Sequence, residues 1–72
     1  MAFNLAKFKT TIGKKRLTKV ADILDDGYVL EVALHNGTYD LWEYAYGDFT
    51  FAEIVFYAKQ LIDNDGACGA GE

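Results

Sequence analysis

The 72-residue chain contains no proline and no serine, and one each of cysteine, histidine, tryptophan and methionine. Each shortage excludes something. Without serine there is no serine nucleophile. A single cysteine, Cys68, excludes a disulfide framework and a cysteine-based zinc site. No apolar run approaches the ~18 residues that span a bilayer, so no membrane association is expected. Met1-Ala2-Phe3-Asn4 offers neither a charged start nor a long apolar stretch, so a secretory signal is not expected and a cytoplasmic location is. The length permits one domain with a thin core and excludes the larger two-layer enzyme folds.

Acid is missing from the first 19 residues. That segment holds Lys7, Lys9, Lys14, Lys15, Arg16 and Lys19, whereas everything after it holds all 11 acids and one base, Lys59. The whole chain is at −4, yet its larger part is at −10 by that count. Two readings follow: the basic segment lies against the acidic body, or it is an arm for nucleic acid or an acidic partner. The first is favoured, because an acidic body repels a phosphate backbone. Apolar residues at 51% and charged residues at 25% give the balance of a globular chain, and aromatics at 15% are plentiful.

The C-terminal third carries the clearest local signal. Thr50 followed by Glu53 is a capping box, and Phe49 with Ile54 has the spacing of a hydrophobic staple. Phe51, Ile54, Val55, Ala58, Leu61 and Ile62 fall on one face of a helix, which predicts a helix from Phe51 to Ile62 or Asp63. Asn64 or Gly66 supplies its stop. Residues 1–63 then make one compact domain, and residues 64–72, rich in Gly and Ala, a flexible tail. Cys68 sits in that tail with no neighbouring base to activate it.

The middle reads as antiparallel sheet. Asn36-Gly37 stands between two β-forming runs, Tyr28 to Leu34 and Thr38 to Tyr44, and marks a two-residue hairpin. Asp25-Asp26-Gly27 marks an earlier turn. Leu17, Val20, Ala21 and Leu24 fit a helical face, but Lys14, Lys15 and Arg16 at its start and Asp25 and Asp26 at its end would oppose the helix dipole. A strand avoids that penalty and is the expectation. Ala2 to Ile12 fits a short helix or a strand, and the alternation from Phe8 to Ile12 favours strand.

The rhythm from Val20 through Asp25-Asp26-Gly27 to Val32, then Asn36-Gly37-Thr38, resembles the meander of small SH3-like or Tudor-like barrels. The likeness covers about 30 residues as a turn-and-alternation pattern. It brings no functional residues with it, and the long C-terminal helix departs from the simplest such barrels. The fold class expected is α+β: a three- to four-stranded antiparallel meander, with an SH3-like curve, packed against one C-terminal helix.

A two-residue turn pairs Leu34 with Tyr39, Val32 with Leu41 and Leu30 with Glu43. Those apolar residues then share the core face. The second face carries Val29, Glu31, Ala33, His35, Thr38, Asp40, Trp42 and Tyr44, and if the first turn is also of two residues Val20, Asp22 and Leu24 join it, with Asp22 opposite Glu31. The N-terminal segment, through Phe3, Leu5, Phe8 and Ile12, is expected to close it. On the helix, Phe56 points about 155° from the core stripe at ~100° per residue, with Tyr57 on its flank.

No catalytic constellation emerges. His35 with Glu31 or Asp40 lacks metal-ligand spacing, Asp22 and Glu31 read as solvated acids, and Gly13-Lys14-Lys15 lacks the rest of a phosphate loop. No cofactor or metal is expected. The function expected is a non-enzymatic adaptor or inhibitor that occludes a site on a larger protein. Trp42, Tyr44, Phe56 and Tyr57 would be its apolar anchors and Glu31 and Asp40 its acidic contacts. Small acidic, aromatic-rich chains of this kind resemble phage- or mobile-element-encoded modulators of host machinery, and a nucleic-acid-binding target would suit the acidic surface. The alternative is a nucleic-acid-binding module using Lys7, Lys9, Lys14, Lys15, Arg16 and Lys19. A homodimer joined through exposed aromatics is a third expectation.

Overall fold

A computed structural model describes residues 3–66 of the chain. Its elements run α1 (Leu5–Ile12), α2 (Lys14–Leu17), β1 (Val20–Asp25), β2 (Val29–Leu34), β3 (Tyr39–Glu43) and α3 (Phe51–Asp63). The strands form one antiparallel sheet in the order β1-β2-β3, so the fold is α+β with a C-terminal helix, as the sequence implies. Among the described residues the sheet remains an open layer, and the likeness to small barrels extends no further than the meander.

α3 begins where its capping chemistry dictates. The Thr50 hydroxyl accepts from the Glu53 N–H at 3.1 Å, and the Glu53 carboxylate accepts from the Thr50 N–H at 2.9 Å. Ile54, Val55, Ala58, Leu61 and Ile62 are buried along it. They meet Leu30, Val32, Leu34 and Trp42 from the sheet and Phe8 and Ile12 from α1 in a single core.

The N-terminal segment is helical rather than extended. Asn4 caps α1 by accepting from the Lys7 N–H at 3.0 Å, and Phe8 and Ile12 point inward. Thr10 and Thr11, which argue for a strand by propensity, donate their hydroxyls back to the Ala6 and Lys7 carbonyls at 3.0 and 2.7 Å. The segment also lies on the same side of the sheet as α3, not on the opposite side. Phe3 closes the end of this layer, with ring centroids 5.5 Å from Phe8, 5.1 Å from Tyr44 and 5.3 Å from Phe51. Leu17 belongs to the helical turn α2, and the expected strand begins only at Val20.

The register of β3 differs from expectation by one residue. Leu34 donates to the Thr38 carbonyl at 2.8 Å, so the loop is the three-residue His35-Asn36-Gly37. Gly37 takes φ +92°, the left-handed position such a loop requires. Leu30 therefore faces Trp42, and Glu31 faces Leu41. A one-residue slip exchanges the faces of a strand. Trp42 enters the core at 4% exposure, while Tyr39 and Leu41 turn outward.

The end of α3 is tied to the rest of the chain. Arg16 donates to both carboxylate oxygens of Asp63, at 2.9 and 3.1 Å, and Lys19 pairs with Asp65 at 3.2 Å. Asn36 donates to the Asp65 carbonyl at 2.9 Å. Gly66 lies so close to Thr38 that a Cβ there would stand 2.5 Å from its side chain. Of the Gly/Ala-rich tail, Asn64, Asp65 and Gly66 are thus placed; residues 67–72, Cys68 included, lie outside the described residues.

Candidate binding surface

All the helices that contribute to the core lie against one side of the sheet. The residues that alternate with the core positions form the other side. Pairing puts Asp22 beside Ala33 and Ala33 beside Tyr39; Leu24 beside Glu31 and Glu31 beside Leu41; and Val29 beside Glu43. Asp26, bonded to Val29 across the turn, completes a three-by-three grid. Leu24, Tyr39 and Leu41 are 51%, 60% and 50% exposed. Four of the nine positions are acids, and none is a lysine or arginine. Leu24, Asp26, Val29, Glu31 and Leu41 border a shallow depression on this face.

Several of these acids are already engaged with backbone. Asp26 accepts from the Tyr28 and Val29 N–H groups at 2.9 Å each, and those bonds hold its carboxyl below the usual range. Glu43 accepts from the Tyr46 N–H and, at 3.3 Å, from the Asp48 N–H. Their charges stay at fixed places on the rim.

The anchors expected from sequence do not gather into one patch. Trp42 is in the core, so it cannot be a surface anchor of this fold; the expectation rested on the two-residue turn. Tyr44 is half-buried at the end of the helical layer, and its hydroxyl donates to Asp25, an interaction that pushes the phenol up to about 12. Asp40 lies on the core side of β3 and folds onto the Leu41 N–H at 2.8 Å. Glu31 is at the centre of the open face. Phe56 and Tyr57 are exposed on α3, where Tyr57 meets Phe49 and Phe56 edge-on at 5.8 and 5.4 Å. Asp22 faces Ala33, not Glu31, because the β1–β2 turn is closed by Asp26 and Val29 around Gly27-Tyr28, which moves each partner by two residues and leaves the faces unchanged. Leu24 lies on the outer face as expected, whereas Tyr39 and Leu41 were expected in the core; a three-residue reading of the Asn-Gly loop places both outside.

The basic segment is partly spent on internal contacts. Asp63 raises the Arg16 guanidinium, chiefly through the hydrogen bonds, and is itself held low by the same pair. Lys7 stands 5.2 Å from the Phe51 ring centroid. Among the described residues, Lys9, Lys14 and Lys15 make no ion pair, and Lys14 and Lys15 border a notch with Ile12, Arg16 and Asp63.

Among the described residues no three His, Cys, Asp or Glu side chains gather where a metal could sit, and no polar or charged residue is buried. No described helix is long and apolar enough to cross a membrane. Comparison of the chain with protein-family models, with curated proteins and with solved structures finds no match.

Proposed function

We propose that this protein is a non-enzymatic binding module that docks a larger protein over the open face of its sheet, acting as an adaptor or inhibitor by covering the surface it binds. The observation that carries this reading is the uncovered face itself, with Leu24, Tyr39 and Leu41 half or more exposed around Glu31. A half-apolar sheet face without a second layer is what interfaces use, and its acids would steer the encounter. Phe56 and Tyr57, on the far side of α3 from its buried stripe, belong to a separate surface.

A photo-crosslinking side chain at Leu41 or Leu24, in the native host, tests the reading. The expected result is a discrete protein adduct from both positions and none from Thr10 on α1. The adduct partner, once purified, should bind at least tenfold more weakly to Leu41→Asp. Adducts confined to α1 and α2, or to nucleic acid, would defeat it. That second outcome is the alternative reading, a nucleic-acid module, which draws on the unpaired Lys9, Lys14 and Lys15 among the described residues. Loss of oligonucleotide binding with rising salt would follow it.

A further inference from the structure

We infer that the partner segment received by the open face is a basic amphipathic helix, laid across the strands. This rests on the reading of the open face as the docking surface and names the chemistry of what docks there.

The sheet offers three places for a partner: two edges and one face. Both edges are blunted. Asp26 donates its N–H to Val29, and Leu34 donates to Thr38, which fixes the alternation along each outer strand. The N–H groups of Ile23 on β1 and Leu41 on β3 therefore point away from β2. Each is already occupied by the carboxylate of the preceding residue: Asp22 accepts from Ile23 at 2.9 Å and Asp40 from Leu41 at 2.8 Å. The outward carbonyl of Glu43 accepts from the Phe49 N–H at 3.0 Å. A strand added at either edge would have to displace these contacts and would meet a carboxylate midway along. Strand addition is disfavoured, and the face remains.

Its dimensions and charge describe the occupant. The outer strands of three lie about 10 Å apart, from a strand spacing of ~4.8 Å, which is about two turns, ~10.8 Å, of a helix lying across them. Leu24 and Leu41 flank Glu31 on either side. An apolar stripe over the two leucines would leave its own Lys or Arg above Glu31, with Asp22, Asp26 and Glu43 at the rim. A second copy placed face to face would set these acids against their own kind. Charge complementarity therefore selects a foreign, basic segment over self-association.

Three synthetic peptides provide the test: Leu/Lys patterned at the helical period, Leu/Lys of equal composition in strict alternation, and Leu/Glu at the helical period. Each is titrated into the isotope-labelled protein and followed by backbone amide shifts. The expected result is that only the first binds with shifts centred on Leu24, Glu31, Ala33 and Leu41. Glu31→Lys and, separately, Leu24→Lys should each weaken it at least tenfold while the rest of the amide spectrum stays folded. Shifts spread evenly over Asp48, Asp63 and the face would mean charge attraction alone and would overturn the inference. Tighter binding of the alternating peptide along β1 or β3 would overturn it too, as would a dimer in sedimentation that Leu24→Lys dissolves. Binding of the Leu/Glu helix to this face would end the basic-helix inference yet leave the docking surface in place. Silence of the face towards all three peptides, together with no crosslinks from Leu41, would end both.

Discussion

The two faces of the sheet are made from the same strands and have opposite fates. On the inner face, Leu30, Val32, Leu34 and Trp42 are each no more than 4% exposed beneath α1 and α3. On the outer face, Leu24 of β1 and Tyr39 and Leu41 of β3 keep half or more of their surface in water. The contrast teaches that side-chain type alone does not decide which residues a small sheet offers to a partner. Parity decides, and for β3 parity is set by one loop. With three residues in that loop, Trp42 is a core residue and Leu41 is free; with two, their places would be exchanged.

The largest test of this contrast is a pair of truncations side by side in urea. Trp42→Ala should cost about 3–5 kcal/mol, the range for removing a large buried aromatic. Leu41→Ala, next to it in the chain, should stay within about 0.5 kcal/mol, as surface substitutions do. Comparable losses at both positions would mean that the faces are not divided as described. A smaller but still clear effect is expected at Gly66, where the end of α3 seats against the β2–β3 loop. Its φ of +91° and the 2.5 Å approach of a Cβ to Thr38 both oppose a side chain. Gly66→Ala should lower stability by roughly 1–3 kcal/mol, the scale of a strained backbone position. An unchanged melting temperature would mean that the covered layer is not clamped there.

Much of this architecture can be read before any coordinates, and the parts that cannot have identifiable physical causes. Thr50 and Glu53 fix the start of α3 because a reciprocal cap is local and needs no tertiary help. The meander follows from Asp26-Gly27 and Asn36-Gly37. The register of β3 does not, because an Asn-Gly pair closes either a two-residue or a three-residue loop, and the choice depends on which residue the helices bury. α1 was hidden for a different reason. Its face is only Leu5, Phe8 and Ile12, and the β-preference of Thr10 and Thr11 is overridden by packing that the sequence does not display. The surface residues inherit these errors: Glu31, Phe56 and Tyr57 lie outside as expected, Trp42 does not, and Leu41 takes its place.

Electrostatics sharpens the same comparison, because the covered layer uses its charges internally. Asp63 is held below the ordinary carboxylate range by its hydrogen bonds with Arg16. A carboxyl lowered on folding stabilises the protein above its unfolded value, near pH 4, and that contribution fades as the pH falls through the folded value. Urea midpoints measured from neutral pH downward should therefore drop more steeply below about pH 4 in the wild type than in Asp63→Asn. Both residues are well exposed, so the difference should be far smaller than that of Trp42→Ala. Equal acid slopes would mean that Arg16 and Asp63 do not hold the helical layer together in solution.

The smallest effect concerns Tyr44, which sits at the end of the sheet where the two faces meet. Its ring packs on Phe3 in the helical layer, and its hydroxyl reaches Asp25 at the end of β1. The carboxylate, by accepting that hydrogen bond, pushes the phenol up to about 12, with partial burial and the charges of Asp25 and Asp26 adding to it. A phenol raised on folding contributes stability that is complete below its unfolded value of about 10 and is lost as the pH rises towards the folded value. An ultraviolet titration of the folded protein should show one of the five tyrosines ionising late, near the point of alkaline unfolding. Asp25→Asn should bring that late step down towards the ordinary tyrosine range and leave the neutral-pH spectrum unchanged. If the late step survives in Asp25→Asn, burial against Phe3 and not the hydroxyl contact with β1 holds the proton, and Tyr44 belongs wholly to the covered side.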